Sequence, residues 1–296
     1  MDQTASTLPR RQLGRYLREW RSRVGLTQAA AARLVEMSAS ALQRIEAGET
    51  TRIRPRDVEA LCDVYGVPEE VTTAFVGLAR QGNAKSWFHQ YGDLIPPGFN
   101  VYVGLESVAT HLFSYQPELI PGMLQTPQYV QSLLRAARPD LTPDEREQRV
   151  EFRIHRQSII NRRTQPVQLD VVVGETALRR PAGTPGVMAK QLRHLADVPG
   201  RLPNVSVRVL PFDAGFPGGV SMPPFVILGF GDAAPGEPVE PPVVYLEAVV
   251  GNMYLEKPED TAKYHEAYDR IRHAALDETA SRQLLRQVMR EFERGA

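Results

Sequence analysis

The chain has 296 residues, room for two domains, with 35 basic and 35 acidic side chains that cancel. No run of about 18 apolar residues occurs, which excludes a membrane-spanning helix. Met1 to Pro9 lacks a secretory-signal pattern, and the single cysteine, Cys62, excludes an internal disulfide framework and a multi-cysteine zinc site.

A cytoplasmic protein is expected. The zero net charge hides an asymmetry. Arg10 to Arg56 hold eleven arginines and four glutamates, a net of +7, while Asp2 contributes −1 and everything from Asp57 onward −6. A basic segment at one end of a chain points to nucleic acid. With 31 arginines against 4 lysines overall, the clustering of arginine carries more information than its abundance.

Proline divides the chain. Only Pro9, Pro55 and Pro68 precede residue 90, and 21 prolines follow it. The first part reads as an all-α bundle of five short helices over residues 10–80. Leu13, Leu17, Trp20 and Val24 recur at helical spacing, and Gly25 ends that helix. Thr27 caps a second helix through Ala31, Ala32 and Val35, and Ser38 caps a third with Leu42 and Ile45 facing inward. Pro55 opens a fourth with Val58, Leu61, Cys62 and Tyr65 on its apolar face. Glu69 to Ala79 is the fifth.

Gln81 to Gly104 reads as a linker or docking segment holding Trp87, Phe88 and Tyr91. Residues 105–296 read as an α+β domain with a mixed or antiparallel sheet. Helices are expected at Glu106 to Tyr115, Pro127 to Ala137, Pro143 to Asn161 and Gly186 to Ala196. Strands are expected at Val167 to Gly174, Asn204 to Leu210, Pro224 to Phe230 and Pro242 to Val250, the last paired with Asn252 to Leu255 as a hairpin. Asp260 to Ala275 and Glu278 to Glu293 are amphipathic helices.

The phrase Gly25-Leu-Thr-Gln28, the Ala-rich helix after it and Ser38-Ala-Ser-Ala-Leu-Gln-Arg-Ile-Glu-Ala-Gly48 resemble helix-turn-helix regulators of the xenobiotic-response-element family. In that arrangement the second helix of the motif presents its N-terminal residues to the major groove of double-stranded DNA. Small or polar side chains there allow close approach, so Ser38, Ala39, Ser40, Gln43 and Arg44 are the candidates for base contact. Glutamine can pair with adenine and arginine with guanine. Arg44 has phosphate or a glutamate as alternative partners. Arg15, Arg23, Thr27, Gln28, Arg52 and Arg54 are the candidates for phosphate contact, Thr27 and Gln28 because they open a helix. The resemblance implies a structural pair between Arg21 and Glu46. Glu36 departs from the family, many of whose members place glycine in that turn, where left-handed backbone is wanted.

Further along, Pro117-Glu-Leu-Ile-Pro-Gly-Met-Leu-Gln-Thr126, Glu175-Thr-Ala-Leu-Arg-Arg-Pro181, Val207-Arg-Val-Leu-Pro-Phe212 and Val244-Tyr-Leu-Glu-Ala248 with Tyr254-Leu-Glu256 resemble the C-terminal domain of unknown function in WhiJ-type regulators of filamentous bacteria. That resemblance implies a regulator of development or secondary metabolism in an antitoxin-like arrangement, with a small partner protein encoded nearby. Dimerisation, signal reception or partner binding is then the expected work of the domain, and a homodimer would read paired half-sites about one DNA turn apart.

The glycine-rich loop from Phe212 to Ser221, with Phe212, Phe216 and Met222, reads as a flexible connection, an anion cradle, or the wall of an apolar pocket or partner surface. Arg179 and Arg180 are candidates for a ligand or partner, or for structural pairs with Glu175 and other acids. A small-molecule effector is a further alternative. His265, Asp269 and His273 share a helical face but lack the additional ligands of a zinc site. No hydrolase, metalloprotease or dinucleotide motif is present. No catalytic residue, cofactor or metal is expected.

Overall fold

A computed structural model describes residues 8–50, 52–82, 91, 94–95, 99–234, 237–238, 240–248 and 251–295. The chain divides into two compact units, residues 1–108 and 109–296.

The first unit contains α1 (Leu8–Arg23), α2 (Gln28–Leu34), α3 (Ala39–Glu46), α4 (Pro55–Tyr65), α5 (Glu69–Gly82) and α6 (Phe99–Glu106). Local chemistry sets the helix ends. Thr27 accepts a hydrogen bond from the Ala30 amide, and Ser38 does the same for Ala41. Pro55 opens α4, and Gly66 closes it in left-handed backbone. The core joins Leu13 and Leu17 of α1, Ala31 and Ala32 of α2, Leu42 and Ile45 of α3, and Val58, Leu61 and Tyr65 of α4. Cys62 is buried with them, and burial raises its thiol pKa, as suits a core side chain. Val24, read with the apolar face of α1, lies past the end of that helix and is exposed. Trp87 and Phe88 of the segment read as a linker lie outside the described residues, and the end of that segment, from Phe99, is α6.

The second unit follows the order β1 (His111–Gln116), α7 (Pro127–Ala137), α8 (Pro143–Arg156), β2 (Gln168–Gly174), α9 (Glu175–Arg179), α10 (Pro185–Arg201), β3 (Val205–Leu210), β4 (Phe225–Gly229), β5 (Asp232–Ala234), β6 (Glu237–Pro238), β7 (Val243–Ala248), β8 (Gly251–Leu255), α11 (Pro258–Ala274) and α12 (Glu278–Arg294). One six-stranded mixed sheet runs β3-β2-β1-β4-β7-β8, and β5 and β6 form a separate ribbon. The strands β1, β2 and β3 are parallel; β4, β7 and β8 join antiparallel.

The segment Glu106 to Tyr115, read as helix, is a correction: helix ends at Glu106, and His111–Gln116 forms β1 near the centre of the sheet. Parallel strands joined through helices are covered on both faces, and Val171, Val172 and Val173 of β2 are accordingly all buried. On one face Tyr268 and Ile271 of α11 pack among Tyr115, Val172, Phe225, Ile227 and Val244. The helix α10 buries Met188, Leu192 and Leu195 and packs against α12, α7 and β3. Tyr245 and Tyr254 face each other across the β7–β8 hairpin with ring centres 5.3 Å apart.

Candidate nucleic-acid interface

The helix α3 has two faces. Leu42, Ile45 and Glu46 point into the bundle, and Ser38, Ala39, Ser40, Gln43 and Arg44 are exposed. Positions 39, 40, 43 and 44 recur at helical spacing, so they form one stripe opposite the core. At its head the Ser38 and Ser40 hydroxyls are 3.1 Å apart. Among the described residues the side chains of Gln43 and Arg44 have no hydrogen-bond partner.

The inward face is fixed by Glu46. Its buried carboxylate accepts from Arg21 Nε at 2.6 Å and Nη2 at 2.9 Å, and from the Gln28 side-chain amide at 2.8 Å. Arg21 also donates to the Leu26 carbonyl at 2.7 Å, and Arg18 donates to the Glu46 carbonyl at 2.6 Å. One carboxylate thus joins the end of α1, the following turn, the start of α2 and the end of α3. The hydrogen bonds to Glu46 raise the Arg21 pKa. Gln28, a candidate for phosphate contact, therefore has its side-chain amide turned inward. Nothing in the sequence marked Gln28 or Arg18 as part of this network; both are polar residues at helix positions where solvent exposure is the ordinary reading.

The remaining phosphate candidates surround the motif. Arg15 pairs with Glu19 at 3.0 Å and lies 4.5 Å over the Tyr16 ring, and Arg23 lies 5.1 Å over the Trp20 ring. Arg52 and Arg54 are exposed in the segment that leads into α4. Thr27 is exposed at the N-terminus of α2, where its hydroxyl already caps the helix. Glu36 has φ of 54°, the left-handed backbone that glycine adopts without strain.

In the second unit the other candidates separate. Phe212, Phe216 and Met222 line a cleft beside the sheet. Arg179 and Arg180 are not among its lining residues. Arg179 donates to Glu175 and Glu291, each at 2.7 Å, and Arg180 donates to Glu118 at 2.7 Å. His265 packs edge-on to Phe113, and burial lowers its pKa. The wall formed by the Phe212–Ser221 loop was legible in the sequence as one side of an apolar pocket; the walls opposite it were not, because they come from segments far apart in the chain.

No helix among the described residues is long and apolar enough to cross a membrane. Residues 12–75 match the family model described as a helix-turn-helix domain, and residues 99–287 match the model described as a domain of unknown function, DUF5753. Comparison with curated proteins and with solved structures found no match. The helix-turn-helix match supports a DNA-binding regulator, and the longer match shows that the chain belongs to the DUF5753 family.

Proposed function

We propose that this chain is a sequence-specific transcriptional regulator of the xenobiotic-response-element type that binds double-stranded DNA as a homodimer. The exposed stripe of α3, opposite the locked Glu46 face, is the observation that carries the reading. Ser38, Ala39 and Ser40 allow close approach to base edges, Gln43 and Arg44 read them, and Arg15, Arg23, Thr27, Arg52 and Arg54 contact phosphate. Gln28 keeps its backbone amide for phosphate while its side chain supports Glu46. The chain acts by binding rather than catalysis, and in the cytoplasm.

Genomic footprinting of the full chain tests this by giving the operator and its half-site spacing. Gel shifts on that operator then compare the wild type with Arg44→Ala and Gln43→Ala. Loss of a paired base contact costs about 1–3 kcal/mol and relaxes preference at one position. Footprints without paired half-sites, or preferences unchanged in both variants, would remove α3 as the reading element.

The motif order over residues 117–256 supports a finer reading as a WhiJ-type, antitoxin-like regulator of development or secondary metabolism with a small partner protein encoded nearby. Copurification with the product of a neighbouring gene decides it; absence of any such complex removes the antitoxin-like reading and leaves DNA binding intact.

A further inference from the structure

The parallel strands β1, β2 and β3 end side by side, with Gln116 beside Val173 and Gly174 beside Leu210. The chain leaving each strand bends over one hollow: Pro117 to Leu119 after β1, Glu175 and Thr176 after β2, and the loop from Pro211 to Pro224 after β3. The resulting cleft has a volume of about 660 Å³. It lies at the carboxyl ends of the parallel strands, beside the point where β1 has a parallel neighbour on one side and antiparallel β4 on the other. Ligands of open α/β sheets bind in that position, where strand connections diverge. Pockets for small molecules span about 300–1,000 Å³.

The lining specifies the ligand. Tyr115, Leu210 and Ile271 form a buried apolar floor. At the rim Phe212 is 61% exposed, Phe216 69%, Val220 60% and Leu119 46%. These four are half of the large apolar side chains exposed among the described residues, and such a concentration marks a binding surface rather than ordinary scatter. Pro117, Pro211, Pro217, Pro223 and Pro224 stiffen the walls, which reduces the ordering cost of binding. Gly174 allows the walls to meet: a Cβ there would lie 2.5 Å from the Pro117 carbonyl oxygen.

Among the described residues the charged members of the lining are Glu118 and Glu175, and none of the lining residues is Lys, Arg or His. Both carboxylates are already matched outside it, by Arg180 and Arg179. The site therefore offers acceptors without unbalanced charge. Glu175 is buried and accepts from Arg179 Nε at 2.7 Å and from the Phe212 amide at 3.0 Å. A carboxylate accepts about four bonds, so capacity remains for a donor.

We propose that this cleft binds a neutral, ring-bearing apolar small molecule whose hydroxyl or N–H donates to Glu175. The cleft shares no residue with the exposed stripe of α3, and its test needs no DNA.

Nile red, a neutral dye that brightens in apolar surroundings, is titrated into the full chain and into the double variant Phe212→Ala with Phe216→Ala, which removes two exposed side chains. Displacement is then compared for 2-naphthol and 2-methoxynaphthalene, which share a ring system and differ in the donor. Saturable uptake of one dye per chain is expected, weakened about tenfold in the double variant, with unchanged circular dichroism. The naphthol should displace the dye at about tenfold lower concentration than the ether, since hydrogen bonds to charged groups are among the stronger ones. Glu175→Gln should narrow that gap. Absence of saturable uptake, uptake indifferent to both phenylalanines, or equal displacement by the two competitors overturns the proposal.

Discussion

Glu46 shows how a single side chain can organise the DNA-binding unit. A carboxylate withdrawn from water is tolerated only when its charge and lone pairs are met, and Arg21 and Gln28 meet them. Removing Arg21 leaves a buried unpaired charge, which costs about 3–5 kcal/mol. Arg21→Ala should therefore strongly lower the urea midpoint of the first unit. The joint change Arg21→Met with Glu46→Leu should recover most of the loss, because no charge then remains buried. If the double variant is as unstable as Arg21→Ala, the charge is not the cause. Glu36 works in the opposite sense. At φ of 54° a side chain crowds its own backbone, and relief of that strain is worth up to about 1 kcal/mol. Glu36→Gly should raise the melting temperature of this unit by a few degrees; a fall would show that the entropy of the added glycine outweighs the strain.

The helices α1 and α3 meet more closely than ordinary side chains permit. A Cβ on Gly14 would lie 2.5 Å from the Ile45 carbonyl oxygen and 2.7 Å from that of Glu46. Alanine is the better helix former by about 1 kcal/mol, but overpacking against backbone costs about 1–3 kcal/mol. Gly14→Ala should therefore destabilise, measured by thermal unfolding, and any gain would mean that the crossing can relax. The caps and apolar periods of α1 to α5 were legible in the sequence because each helix carries its own start, stop and face. Gly14 was not, since its reason lies on another helix. The strand β1 was misread for a related cause. It lies between β2 and β4 and is covered on both faces, so His111-Leu-Phe-Ser-Tyr-Gln lacks the clean alternation of a half-exposed strand. Leu105, Val108, Ala109 and Leu112 meanwhile follow helical spacing. The cleft as a whole depends on three strand ends meeting through the sheet, a juxtaposition set by topology, and only its Phe212–Ser221 wall carried a local pattern.

Across the whole molecule the charge asymmetry lies somewhere more specific than the two ends of the chain. Between Asp57 and Gly82 there are five acidic residues and one arginine, a net of −4, whereas residues 83–296 carry only −2. Most of the acidic counterweight therefore belongs to α4 and α5, in the same unit as the +7 of residues 10–56. The unit is electrically two-sided along its sequence, which favours approach to DNA through α1 to α3 and the segment before α4. Exposed Glu59, Glu69 and Glu70 then act at a distance, while Arg52 and Arg54 touch phosphate. Each phosphate contact contributes about −0.9 to the slope of log affinity against log salt. Arg52→Ala and Arg54→Ala should each flatten the slope of the full chain by about that amount. Glu59→Gln with Glu69→Gln should raise affinity at low salt and leave the slope unchanged, because no counterion is released where no phosphate is bound. Gel shifts between 50 and 200 mM salt separate the two cases. A slope steepened by the glutamate changes, together with one indifferent to Arg52 and Arg54, would put α4 and α5 against the DNA and reverse the orientation.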